Sequence, residues 1–115
     1  MNNHSVPTAI NLTLIENRDD LPDFAWNKEV LSALKRGPLL IICRETKFSG
    51  GYTLELVHSE LDNQHLSISL AASDPKPGAL LTQVITKPWI YVPIRDAKTV
   101  TIEVNGYTLV RERSL

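Results

Sequence analysis

A chain of 115 residues, 43% of them hydrophobic and 22% charged, is long enough to bury one core without disulfide or metal staples. Its 12 basic and 13 acidic side chains leave a net charge of −1, which gives no electrostatic footprint for nucleic acid or an anionic membrane surface. No apolar run approaches the roughly 20 residues that a membrane helix needs, so no membrane insertion is expected.

Residues 1–8 are polar with a proline and read as a flexible arm ahead of a single domain over residues 9–115. The N-terminus has neither a basic start nor an apolar signal core. The expected compartment is therefore cytoplasmic if Met1 is native, and periplasmic or extracellular if an export signal has been trimmed. Residues 9–15 alternate, with Ile10, Leu12 and Leu14 on one face, and read as a first strand. The sequon Asn11-Leu12-Thr13 falls inside that strand with no signal peptide before it, and carries no weight.

A polar break follows at Asn17-Arg18-Asp19-Asp20. Asp20 before Leu21-Pro22 resembles a helix start, with Asp20 as the cap and Pro22 in the first turn. Leu21, Phe24 and Ala25 form one short apolar face. Val30, Leu31 and Leu34 form another, opened by Asn27 and closed by Lys35-Arg36 and the stop Gly37-Pro38. One or two short helices near residues 20–36, packed on a sheet, are expected.

From residue 39 onward the pattern is strand, turn, strand. Residues 39–45 are too apolar on both faces for an edge and should be central. The single cysteine, Cys43, lies in this run; it forbids an internal disulfide and is expected to be a buried, inert thiol. After Gly50-Gly51, residues 52–58 alternate, with Tyr52, Leu54 and Leu56 on one face and Thr53 and Glu55 on the other. A polar turn at 60–64 leads to a strand at 65–72, with Leu66, Ile68 and Leu70 inward against Ser67 and Ser69. Asp74-Pro75-Lys76-Pro77-Gly78 is a stiff loop, and residues 81–86 and 89–94 are extended on either side of Pro88. Val100, Ile102 and Val104 alternate, Asn105-Gly106 signals a two-residue hairpin, and Tyr107, Leu109 and Arg111 continue beyond it. The fold class is mainly β, α+β at the margin: an antiparallel β-sandwich or bent sheet of roughly six to eight strands. Its core should contain Ile41, Leu54, Leu56, Ile68, Leu70, Ile102 and Val104.

Motifs for catalysis and metal binding are mostly absent. There is no Gly-x-Ser-x-Gly elbow, no phosphate loop and no His-Glu-x-x-His. His58 and His65 bracket a turn with Glu60 and Asp62 nearby, but their spacing fits no zinc or calcium pattern, and solvated turn residues are expected. With Cys43 buried and no hydroxyl placed by a motif, nothing identifies a nucleophile. The expectation is a protein that is not an enzyme, with no metal and no cofactor.

Two stretches carry more. Gly50-Gly51 is either a plain turn or a side-chain-free loop that lets another chain come close, and spacing does not separate the two. In residues 89–94, Ile90, Val92 and Ile94 share one face, while Trp89, Tyr91 and Pro93 share the other. Pro88 and Pro93 cannot donate backbone hydrogen bonds, which places this strand at a sheet edge or a bulge. Trp89 and Tyr91 then form a docking strip, or they cover the sheet against the helix at 28–36.

The order Ser49-Gly50-Gly51-Tyr52, Asp74-Pro75-Lys76-Pro77-Gly78 and Gln83-Val84-Ile85-Thr86-Lys87-Pro88-Trp89 resembles the C-terminal domain of the protease complex subunit PrcB family. That family shows a Thr-Gly-Gly-Tyr-like element, a Pro-x-Pro-Gly-like loop and a Gln-x-x-Thr-x-Pro-aromatic strand in this order. Ser49 stands where the family often has threonine, and Trp89 where it often has tyrosine. The resemblance covers roughly residues 39–95. It implies a non-catalytic domain that binds or stabilises a protein partner, in the namesake case a protease complex. The residues it points to are Ser49, Gly50, Gly51, Tyr52, Pro77, Gly78, Lys87, Pro88 and Trp89. A second similarity is to chagasin-like cysteine-protease inhibitors, whose glycine-containing loop before an aromatic residue and Arg-Pro-Trp-like loop are similar to Gly50-Gly51-Tyr52 and Lys87-Pro88-Trp89. The central loop of those inhibitors has no counterpart unless Pro77-Gly78 serves.

Overall fold

The computed structural model describes residues 10–47, 50–76, 78, 85 and 87–115. The expected arm at residues 1–8 lies outside them, as does the expected strand at 81–86 apart from Ile85. The described residues form β1 (Asn11–Ile15), two single 3-10 turns (Arg18–Asp20 and Asp23–Ala25), and α1 (Lys28–Lys35). They continue with β2 (Leu39–Cys43), β3 (Thr53–Asp62), β4 (His65–Ser73), β5 (Trp89–Pro93), β6 (Thr99–Val104) and β7 (Tyr107–Ser114). Strands β1-β2-β5 make one sheet and β3-β4-β6-β7 a second, so the chain is mainly β.

The central place expected of the run at 39–45 follows from its two apolar faces. Leu40 and Ile42 join Leu54, Ile68, Leu70, Ile102 and Val104 in the core between the sheets. Leu39 and Ile41 face the other way, onto a smaller core made with Ile15, Leu21, Ala25 and Val30 under the helical layer. The result is three layers: helical cover, three-stranded sheet, four-stranded sheet.

The helical cover starts differently from the expectation. Asn17, not Asp20, caps the first 3-10 turn, its side chain accepting from the Asp19 N–H at 3.1 Å. Asp20 is the far end of that capping box, its carboxylate accepting from the N–H groups of Glu16 and Asn17. Pro22 precedes the second turn without a side-chain cap. Asn27 opens α1 as expected, accepting from the Val30 N–H at 2.9 Å.

Two strand features depart from simple alternation. Leu56, expected in the core, is 43% exposed and Val57 66%. The pairing of β3 with β4 slips between Leu56 and His58, so a bulge interrupts the alternation on a strand that is itself a sheet edge. β3 also runs on to Asp62, and the turn into β4 contracts to Asn63-Gln64, both with positive φ (50° and 66°). In addition, β4 and β6 pair in parallel within an otherwise antiparallel sandwich. The chain leaves the end of β4, contributes β5 to the other sheet, and returns beside the start of β4, where His65 pairs with Thr99.

The Asn105-Gly106 hairpin is present, with φ of 52° and 86°. Asn105 does more than turn. Its side-chain Oδ1 accepts from the Ala72 N–H and its Nδ2 donates to the Ala72 carbonyl, each at 3.0 Å, extending the β4 ladder beyond β6. Asn105→Ala should cost about 2 kcal/mol, from two lost hydrogen bonds and a left-handed backbone that alanine tolerates less well. Urea midpoints at constant m-value check this, and Asn105→Gly should recover only the backbone part.

Candidate functional site

The site is built around a residue that the motifs did not single out. Arg44 follows the last residue of β2, and the alternation of Leu40 and Ile42 carries it inward, leaving it 2% exposed. A guanidinium there needs partners. Its Nη1 donates to the carbonyls of Thr53 and Ser73, both at 3.0 Å, and its Nη2 donates to Asp74 Oδ1 at 2.6 Å. Its guanidinium carbon lies 5.4 Å from the centroid of the Tyr52 ring, and its backbone N–H donates to the Pro88 carbonyl at 2.9 Å. Its Nε has no hydrogen-bond partner among the described residues. One side chain thus joins the start of β3, the end of β4 and the loop after it, and its own backbone joins the entry to β5. The available signal was a cation continuing the inward face of an apolar run, with an aspartate waiting in a proline-rich loop.

Around Arg44 the expected site residues converge in part. Gly51 has φ of +89°, and a Cβ added there would stand 2.9 Å from the Pro75 Cβ. The close approach that Gly50-Gly51 permits is therefore made inside the chain, by the stiff loop. Tyr52 carries two cations close to its ring, Arg44 and Lys47, whose Nζ lies 4.9 Å from the ring centroid. Lys47 also pairs with Glu45 at 2.7 Å, and that hydrogen bond and charge hold the exposed Glu45 carboxyl below its usual range. Gly78 has φ of +80°, and a Cβ added there would meet nothing within 4 Å among the described residues. Ser49 and Pro77 lie outside the described residues.

Trp89 takes the covering place expected of it. It is partly buried and meets Phe24 edge-to-face with 5.5 Å between centroids, and Lys87 Nζ stands 5.1 Å from that Phe24 ring. Tyr91 donates its hydroxyl to Glu29 Oε1 at 2.8 Å. Both aromatics thus cover the sheet against the helical layer. Yet Trp89 also lines an open groove of about 580 Å³ with Leu56, Ile90 and Pro93, and among the described residues β5 is a sheet edge, in keeping with its prolines.

The bond to Glu29 raises the Tyr91 phenol above its ordinary value, with burial and the Glu29 charge adding to it. A phenol whose folded value is raised contributes stability that is present below the unfolded value of about 10 and is lost as pH rises through the folded one. Tyr91→Phe should therefore remove a step that lies above the ordinary phenol value from a spectrophotometric tyrosine titration.

The remaining candidates are engaged elsewhere. His65 bridges two threonines, its Nδ1 2.7 Å from Thr99 Oγ1 and its Nε2 3.0 Å from Thr101 Oγ1. His58 is exposed, 3.9 Å from Glu60. Among the described residues no group of three or more His, Cys, Asp or Glu is placed to hold a metal ion. Cys43 is buried, and burial raises its thiol pKa despite the opposing effects of Lys87 and Asn11.

Residues 39–95 match the family model described as PrcB C-terminal. The match begins at the first residue of β2 and ends just past β5, so it contains Arg44 and every loop that Arg44 holds. No curated protein and no solved structure matches the chain.

Proposed function

We propose that this chain, a PrcB C-terminal-like domain over residues 39–95, is a non-enzymatic protein-binding module associated with a protease complex. The observation that carries the reading is Trp89 on an open groove beside the edge strand β5, which Leu56 also lines, with the exposed Val57 next to Leu56 in the chain. Exposed apolar side chains around a partly buried tryptophan make the kind of surface that partners cover. Arg44 supports it from behind by fixing Tyr52, Asp74 and Pro88 relative to one another, so that the surface is presented preorganised. The thiol at Cys43 is buried with its pKa raised, which suits a structural role and not a nucleophile.

The alternative, direct inhibition of a protease in the chagasin manner, has less support. Gly51 is packed on Pro75 and does not stand clear as an inserting loop would.

A photo-crosslinking side chain at Val57, with one at the exposed Tyr107 of β7 as the control, tests the proposal in the native source. Position 57 should trap a discrete protein, identified by mass spectrometry as a protease subunit or its associate, and Trp89→Ala should abolish the adduct. Equal labelling from both positions would overturn the reading. Loss of serine- or cysteine-protease activity on adding the purified chain would move the assignment to the inhibitor alternative.

A further inference from the structure

We propose that the outer edge of β5 receives an extended peptide segment of the partner protein, and that a carboxylate of that segment seats between Arg36 and Arg95. This rests on the protein-binding reading above and adds the shape and charge of what is bound.

The backbone supplies the first part. The Arg44 N–H bonds to the Pro88 carbonyl and the Ile94 N–H to the Pro38 carbonyl, so the even-numbered residues here turn their peptide groups toward β2. By the two-residue period of a strand, Trp89, Tyr91 and Pro93 turn theirs outward. No strand among the described residues pairs with that side. Pro93 has no N–H, so the edge offers donors at Trp89 and Tyr91 and acceptors at all three. Such a short row suits one added segment and resists open-ended sheet growth.

The surroundings decide between a segment and a whole domain. The strip runs along the floor of the groove, with Asn27 and Glu29 of the helical layer on one side and Leu56 of β3 on the other. A second copy pairing through β5 would bring the lining of its own groove, whose one carboxylate, Glu29, is already bonded to Tyr91. A single extended chain reaches both the peptide groups and the apolar walls.

Charge supplies the second part. Tyr91 and Pro93 also line a neighbouring pocket of about 320 Å³, which is flanked by Arg36 and Arg95. Neither arginine forms an ion pair among the described residues. Two arginines lining one concavity bring like charge to it, and a carboxylate offsets this while accepting paired hydrogen bonds. Arg95 is moreover held at φ of 49° in the turn closed by the Ala97 N–H to the Ile94 carbonyl at 2.8 Å. Glycine would meet that φ with less strain, but it would bring no charge to the pocket. Glu29 stands beside the groove and is already bonded to Tyr91, so the acidic end of a bound segment is directed to the Pro93 end.

Random heptapeptides with a free C-terminus, selected in parallel on the full chain and on its Arg36→Gln/Arg95→Gln variant, test the proposal. Both arginines lie at the surface, and thermal melts verify that the variant is folded. The expected peptides alternate apolar residues and end in Asp, Glu or a required terminal carboxylate. Their affinity should fall by about tenfold or more on the double arginine variant, and equally when the carboxylate is converted to an amide. Enrichment without an acidic group, affinity unchanged within about twofold on the variant, or no enrichment at all overturns the proposal. So does a concentration-dependent dimer whose contact maps to Trp89. If crosslinking from Val57 succeeds while the peptide experiment fails, protein binding stands and only the strip and its carboxylate are lost.

Discussion

Arg44→Ala should destabilise the domain by about 3 kcal/mol or more, one of the two largest single effects expected in the chain. Removing one partner of a buried charged pair costs about 3 to 5 kcal/mol when both are deeply buried. Here the two side chains differ, 3% exposed for Arg44 and 26% for Asp74, so the Asp74 end recovers some water and the lower figure applies. The carbonyls of Thr53 and Ser73 lose their charged donor at the same time. Arg44→Lys keeps the charge but not the fork that spans two carbonyls and a carboxylate, and should recover less than half of the loss. Urea unfolding measures both. A loss below about 1 kcal/mol for the alanine variant would mean that water replaces the guanidinium, and that the loops are not held by it.

The prominence of Arg44 shows which parts of this molecule its sequence discloses. Strand positions were legible wherever side chains alternate or punctuation is strong: two apolar faces made β2 central, Gly37-Pro38 closed the helix, and Asn105-Gly106 turned the last hairpin. Pro93 placed β5 at an edge because a missing donor is visible in the residue itself. The parallel partnership of β4 and β6 was not legible, since it depends on where the chain goes between them and not on either strand's own pattern. Leu56 was misplaced for a related reason. A bulge shifts register without changing composition, and an edge leaves even an inward position open. The three motif segments were found, but what joins them was not, because Arg44 belongs to none of them. Trp89 packs on Phe24 and also lines an open groove, and a cover and an exposed aromatic have the same strand pattern in the sequence.

Gly51→Val should cost about 2 to 5 kcal/mol, and it should do so without any partner present. Two separate causes add. The left-handed φ of +89° disfavours any residue with a Cβ by about 1 to 2 kcal/mol, more for a β-branched one. The Cβ would also stand 2.9 Å from the Cβ of Pro75, a ring atom on a stiff loop that yields poorly, and forced overpacking costs about 1 to 3 kcal/mol. A double-mutant cycle divides the two. Pro75→Gly removes the opposing Cβ while leaving the φ of residue 51 untouched, so Gly51→Ala should cost less in a Pro75→Gly background than in the parent. The difference, corrected for the cost of Pro75→Gly alone, reads the contact, and the remainder reads the backbone. The same variants carry a functional consequence. Because the cost arises inside the domain, Gly51→Ala should weaken partner binding only in proportion to the unfolded fraction. If Gly51→Ala leaves the urea midpoint unchanged but removes binding, the glycine serves the approach of a foreign chain, and the packing of Gly51 on Pro75 is not what requires it.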